Sequence, residues 1–165
     1  MKDWITTVIV RELKALHREI ESYPSEDDLW EIPAGIANPG GNLALHLAGN
    51  LQYFLGNVLG KNGYVRNRDA EFASRDIPRA ELLSEIDNAI AAVEVGMSTI
   101  SEEDLRKPFP EKVGGVSSST GAFLAHFATP LAYHLGQVDY HRRIMTGEGK
   151  TVKAVALTEL DGKSP

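Results

Sequence analysis

The chain has 165 residues, a formal net charge of −6 and no cysteine. At that length one domain can bury roughly two-thirds of the surface of its unfolded form, so a core without staples suffices. The missing thiols exclude disulfides, zinc–thiolate sites and a protein-borne thiol nucleophile, and the acidic balance without a dominant basic patch argues against nucleic acid as partner.

Asp3 is the expected N-cap of a first helix reaching about Ser22, with Trp4, Val8, Leu13, Leu16 and Ile20 near helical spacing and charges between them. The charges at Asp3, Arg11 and Glu12 leave too short an apolar stretch for a signal peptide, and no span suits a membrane, which predicts a cytoplasmic protein. Pro24, Pro33, Gly35, Pro39 and Gly40 then mark a loop, with one short turn around Asp28 to Trp30. A second helix is expected from Asn42 to Gly60, followed by an exposed polar connection from Lys61 to Asp76. Pro78 suits the first turn of a third helix that runs to about Ile100. Ser101 to Asp104 resembles a capped single turn, Val113 and Val116 suit a short extended piece, and a fourth helix spans about Ser118 to Met145. The tail from Gly147 to Pro165 reads as a strand or arm, packed on the surface or loose. Four long helical segments joined by loops, one of them a long crossover, predict an all-α four-helix bundle over residues 1–146 with a short C-terminal tail, 147–165.

Two of these helices lack charge. Between Glu31 and Lys61 there is no Asp, Glu, Lys or Arg, and the same holds between Lys112 and Asp139. A helix with one wet face normally carries several, so burial on most sides is the expectation. At ~100° per residue, Asn42, His46, Asn50, Tyr53 and Asn57 fall within an arc of about 80°. His126, Pro130, His134, Gln137 and His141 do the same on the fourth helix. If the two lines face each other they form a pocket of imidazoles and amides, suited to divalent metal ions. The competing reading makes His46 and His134 core histidines satisfied by carbonyls or amides. His17, among Lys14, Arg18 and Glu21, reads as a surface residue.

Three blocks resemble the DinB-like family of four-helix bundles, in particular a subfamily of unknown function. They are Leu45-His46-Leu47-Ala48-Gly49-Asn50 on the second helix, Arg66-Asn67-Arg68-Asp69-Ala70-Glu71-Phe72 in the connection, and Tyr133-His134-Leu135-Gly136-Gln137 on the fourth. The resemblance covers residues 1 to about 146 and implies a divalent ion, zinc, nickel or iron, held by His46, position 130 and His134. It also implies a thiol S-transferase-like transferase or hydrolase working with a low-molecular-weight thiol, and a homodimer. Asn50 and Gln137 would support the metal ligands. This chain departs from the pattern at Pro130, which has no ligand atom. His126, His141, Asp69 and Glu71 are the candidate replacements, and a metal-free small-ligand binder or dimeric interaction module is the alternative. The charged block has two readings as well: a salt-bridge network anchored by Phe72, or a polar lid in which Arg66 or Arg68 clamps a ligand's carboxylate or phosphate.

Overall fold

In the computed structural model, which describes residues 1–161, Lys2–Glu21 forms helix α1. Asp3 lies in its first turn and does not cap it. The cap is tertiary: Glu102 accepts a 2.8 Å bond from the Lys2 backbone N–H and a 2.7 Å bond from the chain's amino terminus. A carboxylate there meets both the orphan N–H groups and the positive end of the helix dipole. A 3₁₀ turn at Asp27–Leu29 buries Leu29 and carries Trp30 against Gly41, where a Cβ would lie 2.7 Å from the indole.

Helix α2, Gly40–Leu51, starts two residues earlier than expected and continues without a break into the π-helical segment Gln52–Leu59. The wider winding shows in the Gly60 N–H bond to the Leu55 carbonyl, 3.1 Å and five residues back. It changes which residues share a face, so Tyr53 and Asn57 leave the line predicted from α-helical angles. Tyr53 instead donates to Glu111 (3.0 Å), and Asn57 accepts from the Gly63 backbone (3.1 Å).

The connection expected to be irregular contains a short helix, α3, Arg68–Ala73, whose Ala70 N–H is capped by Asn67 at 3.1 Å. Helix α4 spans Arg79–Ser98 after Pro78. Ser101 and Asp104 cap one another's turn before the 3₁₀ turn Asp104–Arg106, and isolated bridges pair Val113 with Val116 and Pro108 with Ser119. Helix α5, Thr120–Thr146, runs through Pro130 as one helix and ends at Gly147, whose φ of 67° favours glycine.

The described residues are all helix and loop, with no strand. Of the two expectations for the tail, strand or arm, its described residues form no strand and contain a 3₁₀ turn, Leu157–Asp161. Arg18 ties it to α1 through the Val152 carbonyl (3.0 Å) and Glu159 (3.3 Å), and Arg142 ties it to α5 through the Lys150 carbonyl (2.8 Å). The expectation for its last four residues lies outside the described ones. No described helix is long and apolar enough to cross a membrane.

Helix α1 packs on α4 and α5, and α2 packs on α3, α4 and α5. Leu13, Leu16 and Ile20, Leu47, Leu51 and Leu55, Leu82, Ile86 and Val93, and Leu124, Leu131 and Val138 form one core. Helix α2 is therefore covered largely by its own chain. Helix α5 departs from the expectation of burial: Ala122, Ala125, His126, Thr129, Ala132, Tyr133 and Gly136 are exposed. A run without charge predicts burial only where its apolar residues are large, and this face is mostly small or hydroxyl-bearing.

Candidate functional site

Asn42, fully buried near the start of α2, fixes α3 in place. Its amide donates to the carbonyls of Glu71 (2.8 Å) and Ser74 (2.9 Å) and accepts from Arg75 (2.6 Å). One turn further along α2, His46 meets the Glu71 side chain with Nδ1 at 2.9 Å from Oε2. Arg66 closes the other side of Glu71 as a fork, with Nε 2.7 Å from Oε1 and Nη2 2.8 Å from Oε2. The carboxylate occupies room that only glycine leaves, since a Cβ on Gly49 would stand 2.4 Å from Oε1.

Burial works to raise the Glu71 pKa, but the hydrogen bonds from Arg66 and His46 outweigh it and hold the carboxyl below its ordinary range. Ionised Glu71 only accepts, so His46 Nδ1 carries the proton and Nε2 keeps its lone pair. His134 is arranged in parallel on α5: Nδ1 donates to the Gln137 side-chain oxygen at 2.6 Å. The two rings stand edge to face with centroids 5.5 Å apart, and Phe72 packs 4.7 Å from His46. Neither Nε2 bonds to the protein, and neither is among the buried polar atoms lacking a partner, so both meet solvent.

Two hollows flank this pair and share Asn38 as a wall. One, about 570 Å³, is lined by Asn38, Arg68, Asp69, Phe72 and Ala73. The other, about 240 Å³, runs between Gly35–Asn38, Leu43, Gln137 and Tyr140.

The donor set does not make the three-ligand metal centre that the DinB resemblance implies. Pro130 offers nothing, and both oxygens of Glu71 are engaged. Among the described residues no three His, Asp or Glu side chains are grouped to hold an ion. What remains is two imidazole nitrogens.

A family model matches residues 2–157, nearly the whole length. The chain belongs to that family, described as protein of unknown function DUF1572. No curated protein and no solved structure matches it.

In this DUF1572 protein the predicted site residues separate. His46, Glu71, Arg66, His134 and Gln137 form the cluster above, and Arg68 and Asp69 line the adjoining hollow. Asn50 stays half-buried on α2 a turn beyond His46, and His126 lies exposed beside Phe127. In the charged block Arg66 and Glu71 pair, while Arg68 and Asp69 form no ion pair among the described residues.

His141 leaves the pocket altogether. It is 1% exposed, accepts from the Tyr23 hydroxyl at Nδ1 (2.8 Å) and donates from Nε2 to the Glu31 carbonyl (2.9 Å). It is a satisfied core histidine, because Tyr23 and the Glu31 loop occupy the space beside α5 that periodicity left blank. His17 sits at the periphery between Glu21 (3.4 Å) and Asp87 (3.8 Å). Asn38 escaped sequence reasoning because a loop residue has no periodic signal.

Burial lowers the His141 pKa, with the bond to the Glu31 carbonyl opposing. An unfolded histidine titrates near ~6.5. Below that value the unfolded chain binds a proton that the folded chain refuses, so stability present above it is lost as pH falls. Urea midpoints of the DUF1572 protein should fall between pH 7 and 5, with a smaller slope in His141→Gln. Equal slopes would refute this assignment.

Proposed function

We propose that the four long helices form a DinB-like four-helix bundle and that His46 and His134 floor a metal-free, small-molecule-binding site. One observation carries this: each imidazole has Nδ1 fastened to an acceptor and Nε2 open to solvent, with the rings 5.5 Å apart. Such a pair can hydrogen-bond a ligand or exchange a proton with it. The charge of residues 66–75 favours an anion over a divalent cation, since Arg66, Arg68 and Arg75 stand against two acids, Asp69 and Glu71, and Glu71 is already paired with Arg66. Under this reading His46→Ala and His134→Ala abolish stabilisation by ligands from a fragment library, whereas His17→Ala retains it. Equal effects from all three would end the reading.

The second reading, a metal-dependent thiol S-transferase-like transferase or hydrolase, is favoured by the ring spacing. With Zn–N bonds of about 2.0–2.1 Å, two imidazoles on one tetrahedral ion have centroids roughly 5 Å apart, and a metal-binding histidine usually donates its other nitrogen to an acceptor. A bound ion would lower the pKa of a thiol or water; His46 and His134 would hold it, with Glu71 and Gln137 orienting them.

Elemental analysis and zinc titration separate the readings. The wild type should hold no stoichiometric zinc, nickel or iron after metal soaking. Pro130→His places an imidazole one helical turn, about 6 Å, before His134 and should raise affinity about a hundredfold. At a metal concentration a hundred times Kd the variant gains about 2.7 kcal/mol, all of it chelator-sensitive. Relief of the helical proline adds a gain that chelator leaves untouched. One ion per wild-type chain would establish the second reading instead.

A further inference from the structure

The two arginines of the charged block have different fates. Arg66 gives its Nε–Nη2 edge to Glu71 and is largely buried. Arg68, two residues on, is exposed, and no carboxylate among the described residues lies within ion-pair distance of it. Its guanidinium is nonetheless placed: Cζ stands 5.1 Å from the Phe72 centroid, over the ring that packs 4.7 Å from His46. Guanidinium and imidazole are thus within the span of one small molecule.

The hollow at Arg68 and the one at Gln137 lie on either side of Asn38, which lines both. The first offers a cation and an amide, the second Ile36, Leu43 and Tyr140, and their linings include Phe72 and Gln137, the neighbours of the two histidines. Asp69 lines the charged hollow too. It offsets part of the Arg68 field and disfavours a dianion there.

We propose that the ligand of this site is a monocarboxylate with an apolar or aromatic body, its carboxylate received by Arg68 and Asn38 and its body lying toward Leu43 and Tyr140. This rests on the small-molecule reading of the His46–His134 pair. The guanidinium supplies a planar two-point donor that matches a carboxylate, Asn38 adds an amide donor, and the apolar hollow shields the body from water.

The test uses three probes of similar shape: phenylacetate, its neutral amide phenylacetamide, and phenyl phosphate. Binding to the whole chain at low salt is followed by calorimetry and by the imidazole resonances of His46 and His134, assigned through His46→Ala and His134→Ala. Phenylacetate should bind, shift both imidazoles, and weaken about tenfold or more in Arg68→Ala. Arg68→Lys, which keeps the charge without the fork, should fall between, and Asn38→Ala should lose a smaller factor. Phenylacetamide should bind at least tenfold more weakly than phenylacetate and be indifferent to Arg68→Ala. Arg68 is exposed, so its variants fold. Imidazole shifts that persist unchanged in Arg68→Ala would overturn this inference and leave the histidine site standing. Arg68-dependent binding that moves neither imidazole would overturn the single-site claim and count against the histidine reading. Tighter binding of phenyl phosphate, equal binding of the amide, or no binding of phenylacetate would each overturn the monocarboxylate.

Discussion

Glu71→Ala is expected to destabilise the protein by about 3 kcal/mol at pH 7, through the loss of one buried carboxylate that serves two partners. Glu71 is 6% exposed and receives the fork of Arg66 and the Nδ1–H of His46. Removing it strands a guanidinium whose side chain is 12% exposed and leaves the imidazole donor without its acceptor. The figure sits at the low end for a broken buried pair because Arg66 retains some contact with water. Glu71→Gln tests the charge separately from the shape. In the folded chain the Glu71 pKa lies below its ordinary value, so its contribution is fully present above ~4.5 and disappears as pH falls through the folded value. Urea midpoints from pH 6 to 3 should therefore converge for wild type and Glu71→Gln at the acid end and separate at the neutral end. The variant should also free the His46 tautomer, visible as a mixed imidazole nitrogen spectrum where the wild type shows one form. A Glu71→Ala protein within about 0.5 kcal/mol of wild type would remove the buried pair from the account of this site.

Gly96→Ala should be as damaging, against the usual sign. Alanine in a helix interior normally gains about 1 kcal/mol over glycine. Here a Cβ would stand 1.9 Å from the Leu55 carbonyl oxygen and 2.7 Å from its carbon. Those atoms belong to the backbone of the π-helical segment and cannot swing away as a side-chain tip would. The π-helical segment and α4 must separate, loosening Leu55, Ala92 and Val93 in the core. A net loss of about 3 kcal/mol is expected from the strain and the lost packing. At about 2–4 °C per kcal/mol for a chain of this size, melting should drop by roughly 6–12 °C. Gly136→Ala is the control, since nothing lies within 4 Å of its Cβ position on the exposed face of α5. It should melt no lower than wild type. Equal melting of Gly96→Ala and wild type would refute the close crossing of α4 with the π-helical segment.

What the sequence determined by itself was the four long helices and their approximate ends, but not the short α3. Apolar spacing, Pro78, the glycines around position 40 and Gly147 act within a turn or two of chain, and local rules reach that far. It also placed His46 and Glu71, and His134 and Gln137, in the blocks that resemble DinB-like proteins, and it marked Pro130 as a position without a donor. Only the tertiary structure decided what stands opposite each face. His46 and Glu71 are 25 residues apart, Tyr23 and His141 are 118 apart, and Lys2 and its capping Glu102 are 100 apart. Periodicity states which side chains share a face of one helix and carries no information on the partner that fills the space beside it. Hence His134 and His141, two turns apart on one predicted line, end in different surroundings: one beside another imidazole at the surface, the other saturated in the core. The π-helical winding after Leu51 was equally invisible, because it turns Tyr53 and Asn57 off a line drawn at a constant angle per residue. Arg66 and Arg68 look alike in the sequence and differ in the fold for the same reason: a buried carboxylate faces one, and an open hollow faces the other.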